Sequence, residues 1–131
     1  MTKILIAEDE SALQEGLKVS LESEGFVVLT AGDGQTAIDL AISEHPDLIL
    51  MDIMMPIKSG LEAIKELKAD ARTEAIPVML LTNYSYGFMK EEAQYSGAAG
   101  YLVKANISLD KVTTAAKQVL AGTYRPDPFD S

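Results

Sequence analysis

The chain has 131 residues, enough for one hydrophobic core, and its 47% apolar and 24% charged content is that of an ordinary globular domain. With no cysteine it cannot build a disulfide framework or a thiolate metal site, and no apolar stretch approaches the roughly 20 residues of a membrane span. Twenty acidic against eleven basic residues leave a net charge of −9, which repels duplex DNA and anionic membranes, so neither is expected as a partner.

Met1-Thr2-Lys3-Ile4 runs straight into a strand-like segment without the apolar region of a signal peptide, so a cytoplasmic protein is expected. Short continuous apolar runs then alternate with helical spacings. Ile4–Ile6 is the first strand, and Leu13, Leu17 and Leu21 follow at i, i+4 and i+8, with Gly25 placed to close that helix. Val27–Leu29 is the second strand, and Asp33 is placed to cap the helix after it. Leu48–Met51 is the third, followed by Leu61, Ile64 and Leu67 at i, i+3 and i+6. Val78–Leu81 is the fourth. The segment after it, Asn83-Tyr84-Ser85-Tyr86-Gly87, consists of poor helix formers, so a mobile loop and a ragged first turn are expected before a helix that stops at Gly97. Tyr101–Val103 is the fifth strand. Ser108 caps the last helix, Ile107 and Val112 form a hydrophobic staple across it, and Val112, Ala115, Ala116, Val119 and Leu120 line one face up to Gly122. From Thr123 to Ser131 the tail is polar and broken by proline, and is expected to fray.

Strands apolar throughout are those buried on both faces, and alternation at this spacing implies right-handed crossovers. The chain is therefore read as an α/β protein, a doubly wound (βα)5 domain over residues 1–122 with a five-stranded parallel sheet of flavodoxin-like order 2-1-3-4-5.

In such sheets ligands bind beyond the carboxyl ends of the strands. Glu8-Asp9-Glu10 follows the first strand, Asp52 ends the third, Thr82 follows the fourth and Lys104 the fifth; the second ends blandly in Thr30-Ala31-Gly32. Strands one and three are neighbours about 5 Å apart in this order, so Glu8, Asp9 and Asp52 crowd one spot with a hydroxyl and an ammonium beside them. Carboxylates that close repel unless neutralised. A hard divalent cation does this, and Mg²⁺ favours one or two carboxylates with waters and phosphate oxygens. Acidic residues at strand ends can also simply cap helices, the preferred reading for Glu10. Asp9, Asp52, Thr82 and Lys104 at four separate strand ends are better explained as a site.

The stretch Asp52-Ile-Met-Met-Pro56-Ile-Lys-Ser-Gly60 resembles the phosphoacceptor loop of the receiver domain of bacterial two-component response regulators, and Gly97-Ala-Ala-Gly-Tyr101-Leu-Val-Lys104 resembles that family's fifth-strand signature. The likeness extends over residues 3–121 and is to the stand-alone, chemotaxis-regulator-like members. It implies that Asp52 becomes an aspartyl phosphate, that Asp9 and the main-chain carbonyl of Met54 bind Mg²⁺ directly, and that Glu8 does so through water. It further implies that Lys104 pairs with the phosphoryl group, that Thr82 moves inward to hydrogen-bond it, and that Tyr101 swings between exposed and buried positions as Thr82 moves. The donor would be a histidine kinase or phosphotransfer protein, and output would pass to a downstream protein through the face between the fourth and fifth helices. The domain would catalyse its own phosphorylation and dephosphorylation without being an enzyme in the ordinary sense. One departure is Ala105 where the family usually has a cis-proline. A cis bond before alanine costs about 2.5–4 kcal/mol, so the Lys104–Ala105 peptide is expected to be trans. Asn83 after Thr82 is also less typical than a small alanine.

Three rivals are weighed against this. An aspartyl phosphatase would want a second Asp two residues after the nucleophile, where Met54 stands. A flavin carrier would want a hydroxyl-rich phosphate loop where Glu8-Asp9-Glu10 would repel one. A degenerate receiver serving as a phosphorylation-independent binding module is opposed by the intact Asp9, Asp52, Thr82 and Lys104. His45, before Pro46, reads as a solvated loop residue rather than a phosphodonor. Phe88, Glu92 and Tyr95, with Tyr84 and Tyr86 in the loop before them, divide evenly between sheet packing and a partner surface. The methionines read as core filling.

Overall fold

The computed structural model describes residues 1–82, 97–104 and 108–124. Five parallel strands, β1 (Lys3–Ala7), β2 (Val27–Ala31), β3 (Leu48–Asp52), β4 (Val78–Thr82) and β5 (Gly100–Val103), form one sheet in the order β2-β1-β3-β4-β5. Helices α1 (Ser11–Ser23), α2 (Gly34–Glu44) and α3 (Gly60–Ala69) and a C-terminal helix (Leu109–Ala121) flank it. The helix expected between β4 and β5, the Ile107 half of the staple and the Lys104–Ala105 peptide lie outside the described residues.

The apolar runs have the cause expected of them. From Ile4 to Ala7, and throughout β3 and β4, every residue is buried, because helices cover both faces. Successive side chains point to opposite faces. Leu5, Ala7, Ile49, Met51 and Leu80 therefore meet Ala37, Ile38, Ala41, Ala63, Ile64 and Leu67 of α2 and α3. The alternate set, Ile4, Ile6, Leu48, Leu50, Met79, Leu81 and Leu102, meets Leu17 and Leu21 of α1 and Val112, Ala115 and Ala116 of the C-terminal helix. Each fully buried Leu or Ile contributes about 1.5–3 kcal/mol over leaving it exposed. The edge strands β2 and β5 keep partial exposure, which their apolar runs do not signal.

Local capping follows the residue chemistry. The Asp33 carboxylate accepts the Thr36 amide at 2.7 Å, and the Ser108 hydroxyl accepts that of Lys111 at 3.1 Å. Gly25, after α1, has φ +92° and sits in a turn where the Phe26 amide donates to the Leu21 carbonyl. His45, at φ 48°, closes α2 through its own amide and is exposed, as a loop residue should be. The tail does not leave the domain at once: the Tyr124 ring packs over Gly100 at the start of β5 and joins the core beneath α1 and the C-terminal helix. Among the described residues no helix is long and apolar enough to cross a membrane.

Candidate functional site

The chain leaves β1 for β2 on one side while β3 lies on the other, so a cleft opens at the carboxyl ends of β1 and β3. Residues from four strand ends surround it. Glu8 follows β1 and is wholly buried, Asp9 and Glu10 after it are exposed, Asp52 closes β3 at 3% exposure, and Thr82 closes β4 at 1%. Lys104 follows β5 and reaches across the sheet. Its ammonium is 2.7 Å from Asp52 Oδ2, which it bonds, 2.6 Å from Glu8 Oε1 and 3.8 Å from Glu10 Oε2. The contact with Glu8 Oε1 is an ion pair by distance but lacks hydrogen-bond alignment.

Burial pushes the Glu8 carboxyl up to about 7; the Lys104 ammonium opposes this rise and the adjacent Asp52 adds to it. For Lys104 burial works the other way, but its bond to Asp52 and its close contact with the Glu8 carboxylate outweigh burial and hold the ammonium above the ordinary lysine value. The remaining carboxylate atoms are also engaged: Glu8 Oε2 accepts the Glu10 amide at 3.1 Å and Asp52 Oδ1 accepts the Met54 amide at 3.1 Å.

One carboxylate oxygen each from Glu8, Asp9 and Asp52 lies within 4.8 Å of the others. This all-oxygen donor set, with two of its three members buried, fits a hard divalent cation such as Mg²⁺ and not a thiophilic metal. The sequence placed these carboxylates together, with Thr82 and Lys104 on neighbouring strand ends, and the structure brings Glu8, Asp9, Asp52 and Lys104 into one cluster. Tyr101 pairs with Leu80 across β4 and β5 and packs, half-buried, against the core beneath α2 and α3. Because Thr82 is two residues beyond Leu80, it shares that face.

Two loops carry the acidic groups. After β1, the Gln14 side-chain amide reaches back from the first turn of α1 to the carbonyls of Glu8 (2.9 Å) and Ala31 (3.2 Å), and Ala31 also accepts the Glu8 amide at 3.0 Å. After β3, the Lys58 amide donates to the Pro56 carbonyl at 2.7 Å across Ile57, which has φ 70°. That is a γ-turn of the rare, positive-φ kind, centred on a β-branched residue. The Gly60 amide donates to Ile53 at 2.8 Å, and Ser59 and Glu62 form a reciprocal capping box on α3. Sequence reasoning missed Gln14, which no spacing rule marks, and the capping box, which Ser-x-x-Glu does mark. It also read the methionines as core filling: Met51 and Met79 are buried, but Met54 is 59% exposed beside Asp52. Phe88, Glu92, Tyr95, Tyr84 and Tyr86 lie outside the described residues.

Residues 4–117 match the family model of the response regulator receiver domain. The transcriptional regulatory protein PdtaR of Mycobacterium tuberculosis H37Rv is 41% identical over 103 residues, which cover 78% of this chain but 49% of PdtaR, so the chain spans about half the length of that relative. Protein PilH of Pseudomonas aeruginosa is 37% identical over 122 residues, covering 93% of this chain and 100% of PilH. Among solved structures, the receiver domain of the P. aeruginosa sensor histidine kinase PA1611, which has a magnesium ion coordinated in its active site cleft, superposes with a TM-score of 0.83 at 26% identity, covering 92% of this chain and 98% of that one.

Proposed function

The chain belongs to the response regulator receiver domain family, and from that premise we propose that it is an Mg²⁺-dependent phosphoacceptor in which Asp52 takes a phosphoryl group from a phosphohistidine on a kinase or phosphotransfer protein. The observation that carries this reading is the buried Asp52 carboxylate, bonded by Lys104 on one oxygen and by the Met54 amide on the other, with Glu8 and Asp9 against it.

A carboxylate that is already ionised needs no general base. Its oxygen bonds to phosphorus as the P–N bond to the donor imidazole breaks; the electron pair stays on that nitrogen, which takes up a proton. Lys104 follows the charge onto the phosphoryl oxygens, and the Thr82 hydroxyl donates to one of them. Asp9, Asp52 and the Met54 carbonyl would hold Mg²⁺, with Glu8 acting through water, and the ion when bound neutralises carboxylate and phosphoryl charge. The donor set and the magnesium in the PA1611 receiver support that choice of ion. The same groups would serve hydrolysis of the acyl phosphate, so turnover would be self-catalysed.

Inward movement of Thr82 would vacate space on the face it shares with Tyr101, and Tyr101 would turn into it. Output would then pass to a protein partner over the face between the expected fourth helix and the C-terminal helix, from a domain spanning 1–122 in the cytoplasm. Acetyl phosphate with Mg²⁺ should add one phosphoryl group, read by intact mass. Asp52→Asn, or a chelator, should abolish the adduct; a fully labelled Asp52→Asn protein would sink the assignment.

A further inference from the structure

Two of the three carboxylates proposed to meet the ion, Glu8 and Asp9, sit on the short loop after β1. Glu10, the N-cap of α1, makes no side-chain capping bond, and the first turn of the helix carries no acidic residue. Among the described residues nothing binds the Asp9 carboxylate. Asp9 is exposed, yet it must present an oxygen close to those of Glu8 and Asp52. Its position therefore depends on the backbone on either side.

The Glu8 carbonyl in that backbone is held by one neutral side chain. Gln14 Nε2 donates to the Glu8 carbonyl, the atom that begins the Glu8–Asp9 peptide, and to the carbonyl of Ala31 at the end of β2. Ala31 also accepts the Glu8 amide, so the ends of β1 and β2 and the first turn of α1 are joined at one point. On the far side of Asp9, the Glu8 carboxylate accepts the Glu10 amide. We infer that Gln14 is a positioning residue for cation binding, holding the Glu8–Asp9 peptide so that the Asp9 carboxylate is in place before the ion arrives. The inference rests on the phosphoacceptor reading of the site. Without the Gln14 donors the Glu8 carbonyl turns to water, the peptide gains freedom, and binding the cation must bear the cost of ordering it again.

Gln14→Met keeps the length of the side chain and removes both donors. Mg²⁺ is titrated in two ways: by its effect on the thermal midpoint with no phosphodonor present, and by the Mg²⁺ dependence of labelling with acetyl phosphate. The half-saturating Mg²⁺ concentration should rise about 3–10-fold in both, below the 10–100-fold seen when a group bonded directly to a metal ligand is lost, with the same plateau at saturation. Gln14→Asn, whose amide is one methylene short, carries the same expectation and replaces Met if that variant does not fold. A lower midpoint without Mg²⁺, combined with wild-type half-saturation, means that Gln14 only fastens α1 to the sheet and overturns the inference. A wild-type protein whose midpoint ignores Mg²⁺ overturns the metal site itself, which is a different failure.

Discussion

The β3–α3 loop, residues 53–59, is fixed largely by main chain against main chain. Gly34 lies against the Lys58 carbonyl, and Gly60 against the Asp52 carbonyl, so closely that a Cβ at either position would overlap the oxygen. The γ-turn at Ile57 and the Gly60–Ile53 bond complete the frame. The β1–α1 loop, residues 8–10, has main-chain bonds at its two ends, Glu8 to Ala31 and Gln14 to Glu10, and is otherwise fixed by side chains: the Gln14 amide, the Glu8 carboxylate and the Lys104 ammonium. Asp52, the proposed phosphoacceptor, thus precedes a loop framed by main chain, while Glu8 and Asp9, proposed to meet the ion with it, lie on a loop whose ties are titratable or mutable. A main-chain frame should fail by steric overlap, a side-chain frame by a change of charge or the loss of a donor.

The largest effect should come from breaking the main-chain frame. Gly60→Ala puts a methyl group into the Asp52 carbonyl, which cannot yield without moving β3 or α3. A loss of about 3 kcal/mol or more is expected in chemical denaturation, at the upper end of overpacking effects. A near-neutral Gly60→Ala would show that the loop relaxes freely and would dissolve the contrast.

Next comes the buried carboxyl on the other loop. Glu8 titrates at about 7 in the fold against an ordinary 4.5, an upward shift. Its protonated form therefore adds stability below about pH 4.5, and that contribution is lost as pH rises through about 7. The size is up to about 3 kcal/mol at 1.36 kcal/mol per pH unit. In denaturation without Mg²⁺, the stability of wild type minus that of Glu8→Gln should fall across this window. Taking the difference removes the other carboxylates. A flat difference would mean that Lys104 fully offsets the burial of Glu8.

The strand interiors and the clustered charged groups were legible in the sequence because both follow from local rules: apolar runs for doubly covered strands, and charged residues at their carboxyl ends. Asp33 and Ser108 were legible as caps for the same reason. Lys104 pairing with Glu8 as well as Asp52 was not, since it depends on a reach across β4 that no spacing encodes. Lys68 is similar: its ammonium binds the carbonyls of Glu74 and Ile76 ahead of β4, which only the packed structure reveals. The proline-rich neighbours of Tyr124 predict a fraying tail, but the space over Gly100 gives its ring somewhere to pack.

A smaller effect sharpens the comparison at the end of the same loop. Ser59 and Glu62 exchange bonds with each other's backbone amides, both at 3.2 Å, where the loop enters α3. Ser59→Ala should cost about 1 kcal/mol, the usual loss for an N-cap. Since the glycine contacts still hold the loop, Asp52 labelling by acetyl phosphate should stay at the wild-type rate. A collapse of labelling would mean that the cap, and not the main chain, holds the loop after Asp52.

The smallest effect runs the other way. Ile57 is held at φ 70° and is 78% exposed, so it bears a conformational cost without gaining burial in return. A β-branched residue in this region costs roughly 1–3 kcal/mol. Glycine removes that cost but gives back roughly 0.5–1 kcal/mol through the greater freedom of the unfolded chain. Ile57→Gly should therefore raise stability by a net amount of about 1 kcal/mol, seen as a later denaturation midpoint with an unchanged slope. The sign is the informative part. A gain means that the glycine contacts and the Gly60–Ile53 bond impose the turn on Ile57 from outside, as a main-chain frame should. A loss means that the isoleucine helps to hold the turn, and then both loops depend on side chains and differ only in which ones.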